Sequence, residues 1–139
     1  MKLLSIFLGG SFQSEEDERR LREIYELIVN EGYDVWWAPI NVGRGYESKD
    51  ESRMKRIIET EEKEIERRDV STFVMRRATF GTAMEIKHAF DHGKHIIGYI
   101  LSDSPDFNSA SFRYRVRDIV RNDQELLDDL KNLKSKLYH

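Results

Sequence analysis

The strongest constraint on this chain lies in its opening, where an apolar run, a glycine pair, an amphipathic segment and a second apolar run follow in order. Leu3-Leu4-Ser5-Ile6-Phe7-Leu8 reads as a buried strand stopped by Gly9-Gly10. Leu21, Ile24, Tyr25 and Ile28 then recur at helical spacing, with Ser14 and the acids Glu15, Glu16 and Asp17 at the N-terminus and Gly32 as the stop. Tyr33 to Trp37 forms a second short strand ended by Pro39. Strand, glycine turn, amphipathic helix, strand is a βαβ unit, and two strands joined that way run parallel.

The alternation continues. Asn41 to Asp50 carries glycines and no apolar period, so it reads as a loop. A helix follows on Met54, Ile57, Ile58 and Ile65, then a strand from Asp69 to Met75, a helix from Thr82 to His92 stopped by Gly93, and a fourth strand from His95 to Leu101. Ser102 to Ser111 is a polar loop. Beyond it, Phe112, Val116, Ile119 and Val120 share one helical face, and Leu126, Leu130, Leu133 and Leu137 share another. Asn122 with Glu125 forms a capping box between the two helices. The expected fold is a single α/β domain over residues 1–139, with an open parallel sheet of the Rossmann or flavodoxin-like kind and additional C-terminal helices. The final leucine stripe either covers a sheet edge or builds a dimer interface.

Composition narrows the function classes. The 23 basic residues nearly balance the 26 acidic ones, which leaves no basic footprint for nucleic acid but leaves room for a small phosphorylated ligand. Without cysteine there is no disulfide framework, thiol nucleophile or iron–sulfur cluster. The four histidines, at 88, 92, 95 and 139, fit no familiar zinc motif, so the metal expectation is none. The opening apolar run is too short to span a membrane and too poor for a signal peptide, so the expectation is a soluble, cytoplasmic protein with no membrane partner.

Ligands of open parallel sheets sit beyond the carboxyl ends of the strands. Here those ends are Gly9-Gly10-Ser11-Phe12-Gln13, Trp37 to Asn41, Arg76 to Gly81, and Leu101 to Pro105. No third glycine completes a dinucleotide fingerprint, and no Gly-Lys-Ser phosphate loop is present. Glu85 has two readings. It is either the N3 partner of Thr82 in a capping box, or a carboxylate that the helix N-terminus holds ionised at the ligand edge. Glu61 interrupts an apolar stripe between Ile57 and Ile65, which marks either a cleft-facing acid or a stripe bending around a surface one. Two such carboxylates meeting in a cleft suit acid–base or nucleophilic chemistry at an anomeric carbon. Trp36 and Trp37 alternate across their strand, so either both are core or one lines a pocket as a stacking surface. Ser11 and Thr79 are turn hydroxyls within reach of a sugar or phosphate oxygen. Arg76 and Arg77 are a solvated run unless one turns into the cleft. His88 sits on a helix and, without acidic neighbours at ligand spacing, reads as a surface or partly buried histidine.

The blocks Ile6-Phe7-Leu8-Gly9-Gly10-Ser11-Phe12, Trp37-Ala38-Pro39-Ile40-Asn41, Glu66-Arg67-Arg68-Asp69-Val70 and above all Gly81-Thr82-Ala83-Met84-Glu85-Ile86 with Gly93-Lys94 resemble the nucleoside 2-deoxyribosyltransferase superfamily. That superfamily includes the nucleoside 5′-monophosphate N-glycosidases. The resemblance spans roughly Leu4 to Ile100 and implies a nucleophile at Glu85 acting on C1′ of a (deoxy)ribose. It implies that an acid 24 to 26 residues earlier, Glu61 or Glu59, engages the leaving base. Gly9, Gly10, Ser11, Phe12, Trp37, Thr79, Gly81 and Met84 then fall among the substrate-binding positions. The resemblance implies a nucleoside or nucleotide substrate, no metal or organic cofactor, and a homodimer or larger homo-oligomer whose neighbouring chain completes the pocket. Three departures bear on the substrate. Thr79 stands where the transferases have aspartate and the monophosphate enzymes a phosphate-contacting hydroxyl. Gln13 stands where the latter carry an arginine, and Lys87 replaces a usual glycine. The expected activity is 2-deoxyribosyl transfer through a glycosyl-glutamate. The alternatives are hydrolysis of nucleoside 5′-monophosphates and a non-catalytic nucleotide-binding module.

Overall fold

The structure is a computed structural model and describes residues 3–12, 14–42 and 50–138. Five parallel strands form one sheet in the order β2-β1-β3-β4-β5, comprising β1 (Ser5–Gly10), β2 (Asp34–Trp37), β3 (Val70–Met75), β4 (His95–Ile100) and β5 (Asp118–Val120). The helices are α1 (Glu15–Asn30), α2 (Ala38–Asn41), α3 (Glu51–Arg67), α4 (Phe80–Asp91), α5 (Ala110–Arg115) and α6 (Asp123–Tyr138). One face of the sheet packs Leu21, Ile24 and Ile28 of α1 and Leu126, Leu130 and Leu133 of α6. The other packs Ile65 of α3, Ile86 and Ala89 of α4 and Phe112 of α5. The result is the doubly wound α/β architecture anticipated above, with a switch point between β1 and β3 where the strand order changes direction.

Several elements differ from the expectation. Gly9 and Gly10 do not stop β1 but complete it, paired with Phe73 and Val74 of β3. A Cβ on Gly10, which has a φ of +146°, would meet the Val74 carbonyl oxygen at 2.3 Å, so no larger residue fits there. Pro39 is the second residue of the short α2 rather than merely ending β2, as proline tolerates the first helical turn. The segment expected as one helical face from Phe112 to Val120 splits. Helix α5 ends at Arg115, and Asp118–Val120 pairs with β4 as a fifth strand. A three-residue strand is too short to show a period-two pattern. Within the polar loop, Pro105–Asn108 forms a 3₁₀ turn.

The cap between the last two helices is real but shifted. The Glu125 N–H donates to Asn122 Oδ1 at 2.9 Å, while the Glu125 carboxylate accepts from the Arg121 N–H at 2.9 Å and from Asn122 Nδ2 at 3.2 Å. The leucine stripe of α6 is spent on the sheet, with only Leu137 exposed. Ser71 and Thr72, which make β3 look polar, lie fully buried in the central strand. Among the described residues no helix is long and apolar enough to cross a membrane. Residues 43–49 of the expected loop, together with Gln13 and His139, fall outside the described residues.

Candidate active site

Two cavities of about 280 and 530 Å³ adjoin at the carboxyl edge of the sheet and share Gly10, Ser11, Glu61 and Glu85 in their walls. Each is near or within the size range of small-molecule sites. Gly9 and Gly10 form the floor of the smaller one because the strand runs past them without side chains, and Phe12, Trp37 and Pro39 close its sides. The larger one opens between α3 and α4 and is walled by Met54, Ile57, Ile58, Phe80 and Met84.

The local reason for Glu85's position differs from the capping-box reading. Thr79, not Thr82, is the N-cap of α4: its Oγ1 accepts from the Thr82 N–H and bonds the Thr82 hydroxyl at 3.1 Å. Thr82 is therefore N3, and Glu85 stands a turn further along, free of any capping role. Gly81 lies in the first helical turn and lines the larger cavity, with open space where a Cβ would stand.

Ile57 and Ile65 bury one face of α3, and Glu61 lies between them on the cleft side. There it hydrogen-bonds Glu85. Glu59 is exposed and 3.8 Å from Lys55. A hydrogen bond between two carboxyl groups needs a proton, and the Glu85 pKa is accordingly raised well above the usual carboxylate range. Burial is the main cause, followed by the hydrogen bond to Glu61 and the charge of Glu61. The reading of Glu85 as an anion held by the helix N-terminus needed it in the first turn. It lies beyond that turn of α4, and desolvation and a like-charged neighbour push its pKa the other way.

The remaining candidates divide. Ser11 Oγ is buried at the junction of the two cavities and has no hydrogen-bond partner, which leaves a polar atom ready for a ligand. Thr79 also lines the larger cavity, but its hydroxyl is engaged in the cap. Both tryptophans are core residues. Trp36 stacks on Phe7 at 5.4 Å, and Trp37, while lining the smaller cavity, stacks on Tyr25 at 5.2 Å and meets Phe12 edge-on. Trp37 is thus a wall already engaged by its neighbours. Phe12 and Met84 line the smaller and larger cavity respectively.

Neither arginine of the β3–α4 turn reaches the cleft. Arg76 Nε bonds the buried Asp17 at 3.0 Å, and Arg77 faces Asp106 at 3.8 Å. Among the described residues, the walls contain the acids Glu61, Glu62 and Glu85 and no lysine or arginine. Sequence reasoning passed over Met54, Ile58 and Phe80 as cavity walls. Their signal was apolar side chains on α3 and at the start of α4 in excess of what the core absorbs, since all three are exposed.

Fold and site together define an open α/β protein with a carboxyl pair in a cleft beside its switch point. No family model matches the sequence, and no curated protein matches it. Solved structures do. The 2-deoxyribosyltransferase of Bacillus psychrosaccharolyticus superposes with a TM-score of 0.71 over 92% of this chain and 90% of that one, at 15% identity. A conserved protein of Enterococcus faecalis gives 0.67 over 98% and 100% at 17% identity. The CMP N-glycosidase of Clostridium botulinum gives 0.61 over 92% and 98%, also at 17%. The chain shares the fold of these proteins over nearly its whole length.

Proposed function

We propose that the protein cleaves the N-glycosidic bond of nucleosides and transfers the 2-deoxyribosyl group between nucleobases, with Glu85 as nucleophile and Glu61 as the acid for the leaving base. The observation that carries this reading is the hydrogen-bonded Glu61–Glu85 pair in the cleft. Two carboxyls sharing one proton supply both halves of the reaction. The pair's proton, held on Glu85, moves across the hydrogen bond to Glu61. The Glu85 carboxylate so formed attacks C1′, the bond from C1′ to the base nitrogen breaks, and Glu61 delivers the proton to the departing base. The product is a glycosyl ester on Glu85. An incoming base attacks C1′ through a ring nitrogen, the ester breaks, and the incoming base's proton returns to the pair. With water in place of that base, the same steps give hydrolysis.

A hydrogen-bonded pair leaves no room between its carboxyls for the water that enzymes with acids about 6.5–9.5 Å apart activate. It therefore favours the covalent route, in which the acids stand closer, about 5–5.5 Å. The likeness of fold to a 2-deoxyribosyltransferase points the same way.

A nucleoside fits these walls better than its 5′-monophosphate. Phosphate sites commonly use a guanidinium or ammonium partner, and the described walls are acidic. The free Ser11 hydroxyl and the likeness of fold to a CMP N-glycosidase favour the monophosphate reading. Assembly is part of the same proposal. Met54, Ile58, Phe80 and Met84 leave an exposed apolar rim around the larger cavity, and a second copy of the chain seated there would close it. Light scattering is expected to give at least a dimer, and a mass of 16.5 kDa would remove that part.

The test is a panel of nucleosides and 5′-monophosphates, with and without an acceptor base. Base exchange supports transfer, release of free sugar assigns hydrolysis, and binding without turnover assigns a non-catalytic module.

A further inference from the structure

One turn along α3 and α4 from the Glu61–Glu85 pair, a second constellation spans the same two helices. Glu62 and Glu66 stand at i and i+4 on α3, and His88 and His92 at i and i+4 on α4. These spacings put each pair on one face of its helix. Packing turns the two faces toward each other, which corrects the reading of His88 as lacking acidic neighbours. His88 Nε2 lies 2.8 Å from Glu66 Oε2, His92 Nε2 lies 3.9 Å from the same oxygen, and the imidazole rings are 4.2 Å apart.

We infer that Glu66, His88 and His92 form a binding site for a divalent transition-metal ion of the Zn²⁺ class, bridging α3 and α4. Their ligand atoms all lie within 4.8 Å of one another. In a tetrahedral zinc site with bonds of about 2.0–2.1 Å, ligand atoms stand roughly 3.3 Å apart. The separations of 2.8 and 3.9 Å bracket that value, so side-chain adjustments of about half an ångström seat the ion.

The outer contacts are those a metal site requires. His92 Nδ1 lies 2.9 Å from the His88 carbonyl oxygen. A carbonyl only accepts, so Nδ1 donates there, and Nε2 is the ring nitrogen left on the side of the Glu66 carboxylate. An ion seated between Nε2 and that carboxylate would take both as ligands. His88 Nδ1 lies 3.6 Å from Glu62 Oε2, a gap that a small side-chain rotation closes to a hydrogen bond when Nε2 binds the ion. A backbone carbonyl behind one histidine and a carboxylate behind the other are the orienting partners found behind metal-bound imidazoles. Two imidazoles and one carboxylate select zinc-like ions over magnesium or calcium.

The site is independent of the proposed chemistry, but it touches the cleft. Glu62 also lines the larger cavity, and the bridged helices carry Glu61 and Glu85. A bound ion would clamp the wall between them and stabilise the fold, because it binds the folded chain and not the unfolded one.

The experiment is calorimetric titration of the full chain with ZnCl₂, paired with thermal unfolding and with Co²⁺ absorption as a reporter of coordination geometry. Wild type is expected to bind one ion, gain Tm on zinc addition and show the visible bands of tetrahedral cobalt. His92→Ala and Glu66→Gln are expected to bind at least about tenfold more weakly and to lose those bands, Glu62→Gln to bind several-fold more weakly, and His95→Ala to bind as wild type. The replaced residues at 66 and 92 are exposed, so these variants keep the fold. No binding by wild type at about 100 μM zinc, unchanged binding by His92→Ala or Glu66→Gln, or loss of binding in His95→Ala would each overturn the assignment.

Discussion

The molecule holds two carboxyl pairs of similar kind at opposite edges of its sheet. Glu61 and Glu85 meet at the carboxyl edge. Asp118, the first residue of β5, meets Asp129 of α6 at the amino edge, where the Asp129 pKa is pushed up to about 6 by burial and then by its hydrogen bond to Asp118. The surroundings separate them. His95 Nε2 lies 2.5 Å from Asp118, and both His95 and Lys136 pull the Asp129 pKa back down. That cluster ties β4, β5 and α6 together, and neither of its acids lines the cleft. Glu61 and Glu85 have no cationic partner among the described cavity walls and open onto the larger cavity. A raised carboxyl pKa therefore marks only a desolvated acid. It points to chemistry when the acid also faces space for a substrate and lacks a neutralising cation.

The sharpest way to break this contrast is to neutralise one acid from each pair. Glu85→Gln keeps the shape but removes the nucleophile, and glycosidic cleavage is expected to fall at least about a hundredfold, with Asp129→Asn staying within about twofold of wild type. Steady-state kcat/KM on the best substrate of the panel reads both. Equal losses in the two variants would erase the distinction between the pairs. Glu61→Gln is expected to lose about tenfold to a hundredfold, most on bases that leave poorly without a proton.

The next expected effect is on the pH profile. The reaction needs the proton that the pair shares, so kcat/KM should fall on the alkaline side of a macroscopic pKa above the ordinary carboxylate range. A profile flat between about pH 5 and 9 would uncouple the pair from the chemistry.

The smallest effect is on stability. The folded chain holds the Glu85 proton more tightly than the unfolded chain, so as pH rises from 4.5 through the folded pKa, folding loses stability. Glu85→Gln removes that loss, and its Tm should exceed that of wild type at pH 8, with the advantage vanishing below pH 4.5. Asp129→Asn should behave in the same direction between 3.8 and about 6, less strongly because His95 and Lys136 already offset the charge. Thermal melts across pH would check both, and a Glu85→Gln chain less stable than wild type at pH 8 would contradict the burial of a protonated acid.

The sequence by itself determined the order of β1, α1, β2, α3, β3, α4 and β4, because apolar spacing of two or 3.6 residues records which face of each element is buried. It also placed Glu85 on the helix at the ligand edge and singled out Glu61 as an acid inside an apolar stripe. What it left open was which faces meet. Whether Glu61 or Glu59 reaches Glu85 depends on how α3 packs against α4, a contact that no local pattern encodes. The cap at Thr79 rather than Thr82 moved Glu85 out of the dipole's reach and into a shared proton. Asp118–Val120 became a strand because β4 offered it an edge to pair with. His88 and His92 gained their carboxylates from a helix more than twenty residues away in the chain. Periodicity is local and survives in the sequence, whereas packing brings together side chains with no fixed separation along the chain, and only the folded structure settles those partners.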